Sequence, residues 1–131
     1  LAEVNTRVVF CDDIRQEHNG KLILIGAYAG EIRFLAPFIQ PIATWIQIFG
    51  LSTGPHKATV TVAYEDNDNS ALLGTIEMQF QITDETIPAH GFPTGLMINF
   101  DRPGYIVVNI AIDDQPPIVA DRLKITFSDN S

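Results

Sequence analysis

Residues 58–64 and 75–82 alternate apolar and polar side chains with a period of two: the even positions are apolar and the odd positions mostly polar. A chain with that period buries one face and wets the other, which predicts two strands, over residues 57–65 and 72–82, of an antiparallel sheet lying on a core. The same reading predicts further strands at residues 6–15, 21–34, 42–49, 96–100, 105–112 and 118–127, with no helix longer than a turn. In the 6–15 strand Val8, Phe10 and Ile14 share a face. In the 21–34 strand Gly26 and Gly30 interrupt the apolar run, so this strand is expected to bend or to cross between sheets. Residues 42–49 are apolar on nearly both parities, as in a central strand.

The turn signals agree. Asn19-Gly20 marks a hairpin, because both residues tolerate positive φ. Residues 66–70 form a polar loop between the two alternating strands, and residues 35–41, with Pro37 and Pro41, read as a crossover between sheets. Pro103-Gly104 is expected at the centre of a type II turn tying Phe100 to Tyr105. Burying about eight half-apolar strands calls for an all-β, two-sheet antiparallel β-sandwich, immunoglobulin-like or C2-like, built as one domain over residues 1–131. The expected interior holds Phe10, Tyr28, Ile46, Val60, Val62, Ile76, Met78, Phe80, Ile110 and Ile125.

Charge narrows the partners. Eight Lys and Arg against sixteen Asp and Glu give a net charge of -8, which repels nucleic acid and anionic membrane unless the few cations cluster. No apolar run approaches the roughly 20 residues of a membrane span. Cys11 is the single cysteine, so an intramolecular disulfide and a multi-cysteine metal site are both excluded, and a reducing, cytoplasmic location is expected. The chain begins at Leu1 without an initiator Met, so processing or trimming is expected to have removed something.

Cys11-Asp12-Asp13 is the oddest local feature, because Asp12 shares parity with Phe10 and Ile14 and a regular strand would aim its carboxylate at the core. A bulge or edge position that turns Asp12 toward backbone donors, or toward Arg15 or Lys21, is expected instead. Residues 9–15 (Val9-Phe10-Cys11-Asp12-Asp13-Ile14-Arg15), then Gly20-Lys21-Leu22 and Leu24-Ile25-Gly26-Ala27-Tyr28, resemble the opening of a family of small uncharacterised bacterial proteins. Its signatures are of the Phe-x-x-Asp and Gly-Lys-x-x-x-Ile-Gly-x-Tyr type. The distinctive part covers roughly the first quarter of the chain. The resemblance implies a β-sandwich and a bacterial origin, with no activity and no catalytic residues to transfer.

No nucleophile elbow, phosphate loop or dinucleotide fingerprint is present. Cys11 lies in an apolar strand and is expected to be inert packing. Residues 66–69 have oxygen side chains but lack the central Gly and distal Glu of a calcium loop. Tyr105 is expected to anchor a corner, and Trp45 to serve as core or inter-sheet packing. With strictly alternating strands, the connections holding His18, His56 and His90 would fall at one end, near Asp113 and Asp114. The long 84–95 loop adds Ile87 and Phe92 as apolar anchors. These seven residues are the expected binding site, with no resident cofactor or metal. The leading expectation is a non-enzymatic module that binds a protein partner or itself through an edge or loops. The alternative is a metal-dependent hydrolase or carbohydrate-acting domain using the loop histidines and carboxylates.

Overall fold

A computed structural model of the chain describes residues 3–128. It contains eleven strands, and among the described residues no helix. They are β1 (Asn5–Cys11), β2 (Asp13–Gln16), β3 (Leu22–Ile25), β4 (Glu31–Phe34), β5 (Phe38–Phe49), β6 (Gly54–Glu65), β7 (Ser70–Ile82), β8 (Ala89–Gly91), β9 (Leu96–Phe100), β10 (Gly104–Ile112) and β11 (Ile118–Phe127). A four-stranded sheet holds β1, β5, β8 and β9, with β5 paired to each of the others. It faces a five-stranded sheet of order β4-β11-β10-β6-β7. A separate ribbon pairs β2 with β3.

The expected sandwich is present with more strands than predicted, for local reasons. The 6–15 segment breaks at Asp12, the 21–34 segment breaks around Gly26 and Gly30, and the 84–95 loop contributes the short β8. Gly26 and Gly30 both have positive φ (67° and 98°), so the chain turns there and passes from the ribbon to the five-stranded sheet. β4 then runs parallel to β11, so the strict up-and-down alternation assumed from sequence does not hold. The crossover from β4 to β5 is present but shorter than expected, covering residues 35–37 with Pro37, while Pro41 lies within β5 opposite Met97 of β9.

The core lies between the two main sheets. Ile42, Ile46 and Ile48 of β5 and Ile98 and Phe100 of β9 meet Val60, Val62 and Tyr64 of β6, Ile106, Val108 and Ile110 of β10, and Leu123 and Ile125 of β11. Burying each large apolar side chain contributes about 1.5–3 kcal/mol. Of the predicted interior, Phe10, Ile46, Val60, Val62, Ile110 and Ile125 are buried, while Tyr28, Ile76, Met78 and Phe80 are half-buried. The last three sit on β7, a terminal strand with no neighbour to cover its far side.

A second apolar cluster forms on the outer face of β5. Ala43 and Trp45, of opposite parity to the core residues, are covered by Ile14, Leu22 and Leu24 of the ribbon together with Cys11 and Phe92. Trp45 therefore packs under the ribbon and not between the sheets. Cys11 is fully buried there, and burial, then the nearby Asp12 and Asp13, push its thiol pKa up, which fits inert packing.

The bend at Asp12 explains the odd acidic residue. Its side chain leaves the core, and its N–H donates to the Ile25 carbonyl at 2.9 Å. The Tyr28 hydroxyl donates to the Asp12 carboxylate, and Gln40 Nε2 donates to the same hydroxyl at 2.8 Å. Burial, then this carboxylate, push the Tyr28 pKa up to about 12. Gly26 passes so close that a Cβ there would collide with the Asp12 carboxylate. Among the described residues the Asp12 carboxylate is thus satisfied by a tyrosine, and not by the expected backbone donors, Arg15 or Lys21.

The 101–104 connection departs from expectation. Gly104 has no positive φ and already belongs to β10, while Phe100 ends a strand of the opposite sheet, so this is a crossover and not a tight type II hairpin. Tyr64, and not Tyr105, anchors it: the Tyr64 hydroxyl donates to the Arg102 carbonyl, and the Arg102 guanidinium lies 4.5 Å above the Tyr64 ring. Tyr105 is of the opposite parity to the core residues of β10 and faces outward.

Candidate functional site at the free edge strand

β7 is the long terminal strand of the five-stranded sheet, and the opposite terminal strand, β4, is only four residues long. Backbone pairing of β7 runs to β6 alone, so every second N–H and C=O along its far side has no backbone partner among the described residues. Natural sheets protect such edges with lysine, proline, bulges or brevity, and the one irregularity of β7, between Leu72 and Gly74, lies at the far end from residues 79–81. β7 has thirteen residues, no Lys, no Pro and one charge, Glu77.

Two recesses meet at residues 79–81 of this edge. One, of about 580 Å³, is lined by Pro55, His56, Lys57, Asp113 and Asp114 besides Gln79, Phe80 and Gln81. The other, of about 320 Å³, is lined by Asp84, Ile87, Pro88 and His90 besides the same three β7 residues. Five of the seven residues expected from sequence therefore flank one end of one free edge.

His56 and Asp113 form the ordered part of the site. The pairing Ala58↔Ile112 between β6 and β10 brings the ends of these strands together. Asp113, with φ 54°, is the one non-glycine residue of positive φ among the described residues, a conformation Asp tolerates. It is held by Lys57: its N–H donates to the Lys57 carbonyl at 2.7 Å, and its Oδ1 accepts the Lys57 N–H at 3.0 Å. Asp113 Oδ2 accepts His56 Nδ1–H at 2.9 Å, and His56 Nε2–H donates to the Ser52 carbonyl at 2.7 Å.

Ser52 Oγ lies 3.5 Å from Nε2, so the order Ser, His, Asp is the one found in acyl-transfer enzymes. The chemistry differs. Both ring nitrogens face acceptors, and Nε2 lies 2.7 Å from the Ser52 carbonyl against 3.5 Å from the Ser52 hydroxyl, so the Nε2 contact is to the backbone and not to the serine proton. The Asp113 carboxylate, then the Ser52 carbonyl, raise the His56 pKa above its usual value, while the Lys57 N–H, then His56, lower that of Asp113.

A pH dependence follows. The raised His56 pKa adds stability that is complete below about 6.5, the unfolded value, and is lost as pH rises through the higher folded value. The lowered Asp113 pKa adds stability present above about 3.8 and lost as pH falls through the folded value. Urea midpoints are expected to be highest between these limits, and His56→Phe is expected to flatten the decline on the alkaline side. An unchanged alkaline limb in the variant would contradict the ion pair.

The remaining expected residues are arranged differently. His56 and His90 lie on strands and not in connections, because pairing of β6 begins at Gly54 and β8 pairs with β5. His90 Nδ1 accepts the Trp45 indole N–H at 3.3 Å. Ile87 is 62% exposed, but Phe92 packs inward on the second apolar cluster and offers no anchor. His18 sits on the ribbon turn, in a recess with Gln16, Glu17 and Asn19, and among the described residues no hydrogen bond or ion pair joins it to His56 or His90. The described residues contain no group of three or more His, Cys, Asp or Glu that could hold a metal ion. Sequence reasoning missed Lys57, Ser52 and residues 79–81, and the only signal for the last was a long alternating strand without protective residues.

A family profile matches residues 6–125 of the chain. The chain belongs to DUF6941, a family of unknown function. No curated protein and no solved structure was found to match it. The Asp12, Gly26 and Tyr28 unit lies within the part of this DUF6941 chain that the family covers, and no helix of the described residues is long and apolar enough to cross a membrane.

Proposed function

We propose that this DUF6941 protein is a non-enzymatic bacterial binding or assembly module, acting in the cytoplasm, that takes an extended segment of a protein partner as an added strand along β7. The observation that carries this reading is the free edge of β7 with a recess opening on each side of residues 79–81. In strand addition the main chain supplies hydrogen bonds and side-chain pockets supply specificity, and both are offered here. Exposed Ile87 provides an apolar contact, and Asp84, Asp113 and Asp114 favour a cationic residue on the partner. The net charge of -8 argues against nucleic acid and anionic membrane as partners.

The test is selection of extended peptides against the folded protein, followed by mapping of amide shifts in the complex. Shifts centred on residues 79–82, His56 and residues 87–90 are expected. Shifts confined to residues 66–70, or to β4, would contradict the proposal. Dimerisation of the free protein with the same footprint would make a second copy the partner.

A further inference from the structure

The opposite end of the five-stranded sheet carries a recess that the edge site does not use. Its volume is about 410 Å³, within the range of small-molecule sites, and its lining includes Glu65, Asp66, Tyr105, Val107, Arg122 and Lys124. The register explains it. On the outer face Lys124 lies beside Tyr105, which lies beside Glu65, while Arg122 lies beside Val107, which lies beside Ala63. The small residues of the second row leave a depression between the longer side chains of the first row and Arg122.

Two observations point to a ligand. Val107 is 2% exposed although it belongs to the outer face and to neither apolar cluster, so the depression has a sheltered apolar floor beside the 40% exposed ring of Tyr105. Arg122 and Lys124, two residues apart on one strand, make no ion pair among the described residues, in a chain with twice as many acids as bases. Arg15, Arg33 and Arg102 each sit beside a carboxylate, while Arg7, Lys21 and Lys57 also make no ion pair among the described residues; of these five unpaired cations only Arg122 and Lys124 share a strand. A pair of cations on one face of β11 is therefore set by strand pairing beside the aromatic ring of Tyr105.

We infer that this recess binds a small organic monocarboxylate with a flat apolar body. The carboxylate would lie between the Arg122 guanidinium and the Lys124 ammonium, and the flat body against Tyr105 over Val107. The opposite rim sets the charge. Asp66 is already held by Arg102 Nε at 2.7 Å and by the N–H groups of Asp68 and Asn69, but the Glu65 carboxylate has no such partner among the described residues and repels a second negative charge. Tyr105 stands between Lys124 and Glu65 in the first row, so the flat body lies beside the row, over Val107 and against the Tyr105 ring. This site stands on residues remote from β7, so its fate is independent of the strand-addition reading.

The test is amide-shift titration of the full chain with 3-phenylpropionate, with 3-phenylpropan-1-ol and phenyl phosphate as comparisons. Saturable shifts at Tyr105, Val107, Arg122 and Lys124 are expected with the carboxylate and not with the alcohol, and phenyl phosphate should bind more weakly. The double variant Arg122→Gln, Lys124→Gln, whose side chains are on the surface, should weaken the carboxylate about tenfold or more. Equal shifts with the alcohol, tighter binding of the phosphate, shifts elsewhere on the molecule, or full affinity in the double variant would each overturn the inference.

Discussion

Phe100→Ala is expected to lower stability by about 3–5 kcal/mol, the usual range for truncating a buried aromatic side chain. Phe100 is fully buried at the end of β9, with its ring centroid 4.7 Å from that of Phe34 and 6.2 Å from that of Tyr64. Those neighbours come from the opposite sheet, β4 and β6, so the ring joins the two layers where the chain crosses between them. Removing it leaves a cavity between two sheets whose strands are held by backbone pairing, β9 to β5 on one layer and β4 to β11 and β6 to β10 on the other, which resists collapse. Urea unfolding should show a lower midpoint with an unchanged slope. Phe80→Ala, at a half-buried position on the terminal strand, should cost clearly less. Equal losses for the two variants would contradict the assignment of the core.

Gly26→Val is expected to cost about 3–5 kcal/mol, from roughly 1–3 for forcing positive φ on a branched residue and about 1.5–3 for losing a hydrogen bond to a charged group. At φ 67°, any Cβ at this position runs into the Asp12 carboxylate, which must then leave the Tyr28 hydroxyl. The bends at Asp12 and at residues 26–30 hold each other, also through the Tyr28 N–H to the Phe10 carbonyl at 2.8 Å. Tyr28→Phe removes only the hydroxyl and should cost about 1 kcal/mol, because Asp12 then turns to water. Chemical denaturation of both variants checks this order, and a valine variant as stable as the phenylalanine variant would contradict the interlock.

The period-two pattern located β6 and β7 because alternation is a property of neighbouring residues and needs no knowledge of the rest of the fold. It also held the answer to the tyrosine question: Tyr64 shares parity with Val60 and Val62, whereas Tyr105 is out of phase with Ile106, Val108 and Ile110. The breaks at Asp12 and Gly26 were announced by a misplaced carboxylate and by glycines, but their result, a ribbon laid over Trp45, depends on the outer face of β5 being apolar enough to need cover. The site was less legible. His56 and Asp113 meet through the register between β6 and β10, and β7 is an edge only because no other strand pairs beyond it. Neither fact is written in local sequence. His18 was grouped with the others by an alternation of strand directions that the parallel β4 and β11 pair abolishes.

Amide hydrogen exchange along β7, with and without a bound extended peptide, tests the central claim most directly. In a strand, successive N–H groups point to opposite sides, so those facing β6 are protected in the free protein and those facing the open edge are not. Strand addition is expected to slow exchange at every second residue of the 79–82 segment and to leave the intervening, already protected residues nearly unchanged. Slowing that is uniform along β7, or confined to the 84–88 loop or to residues 66–70, would contradict it.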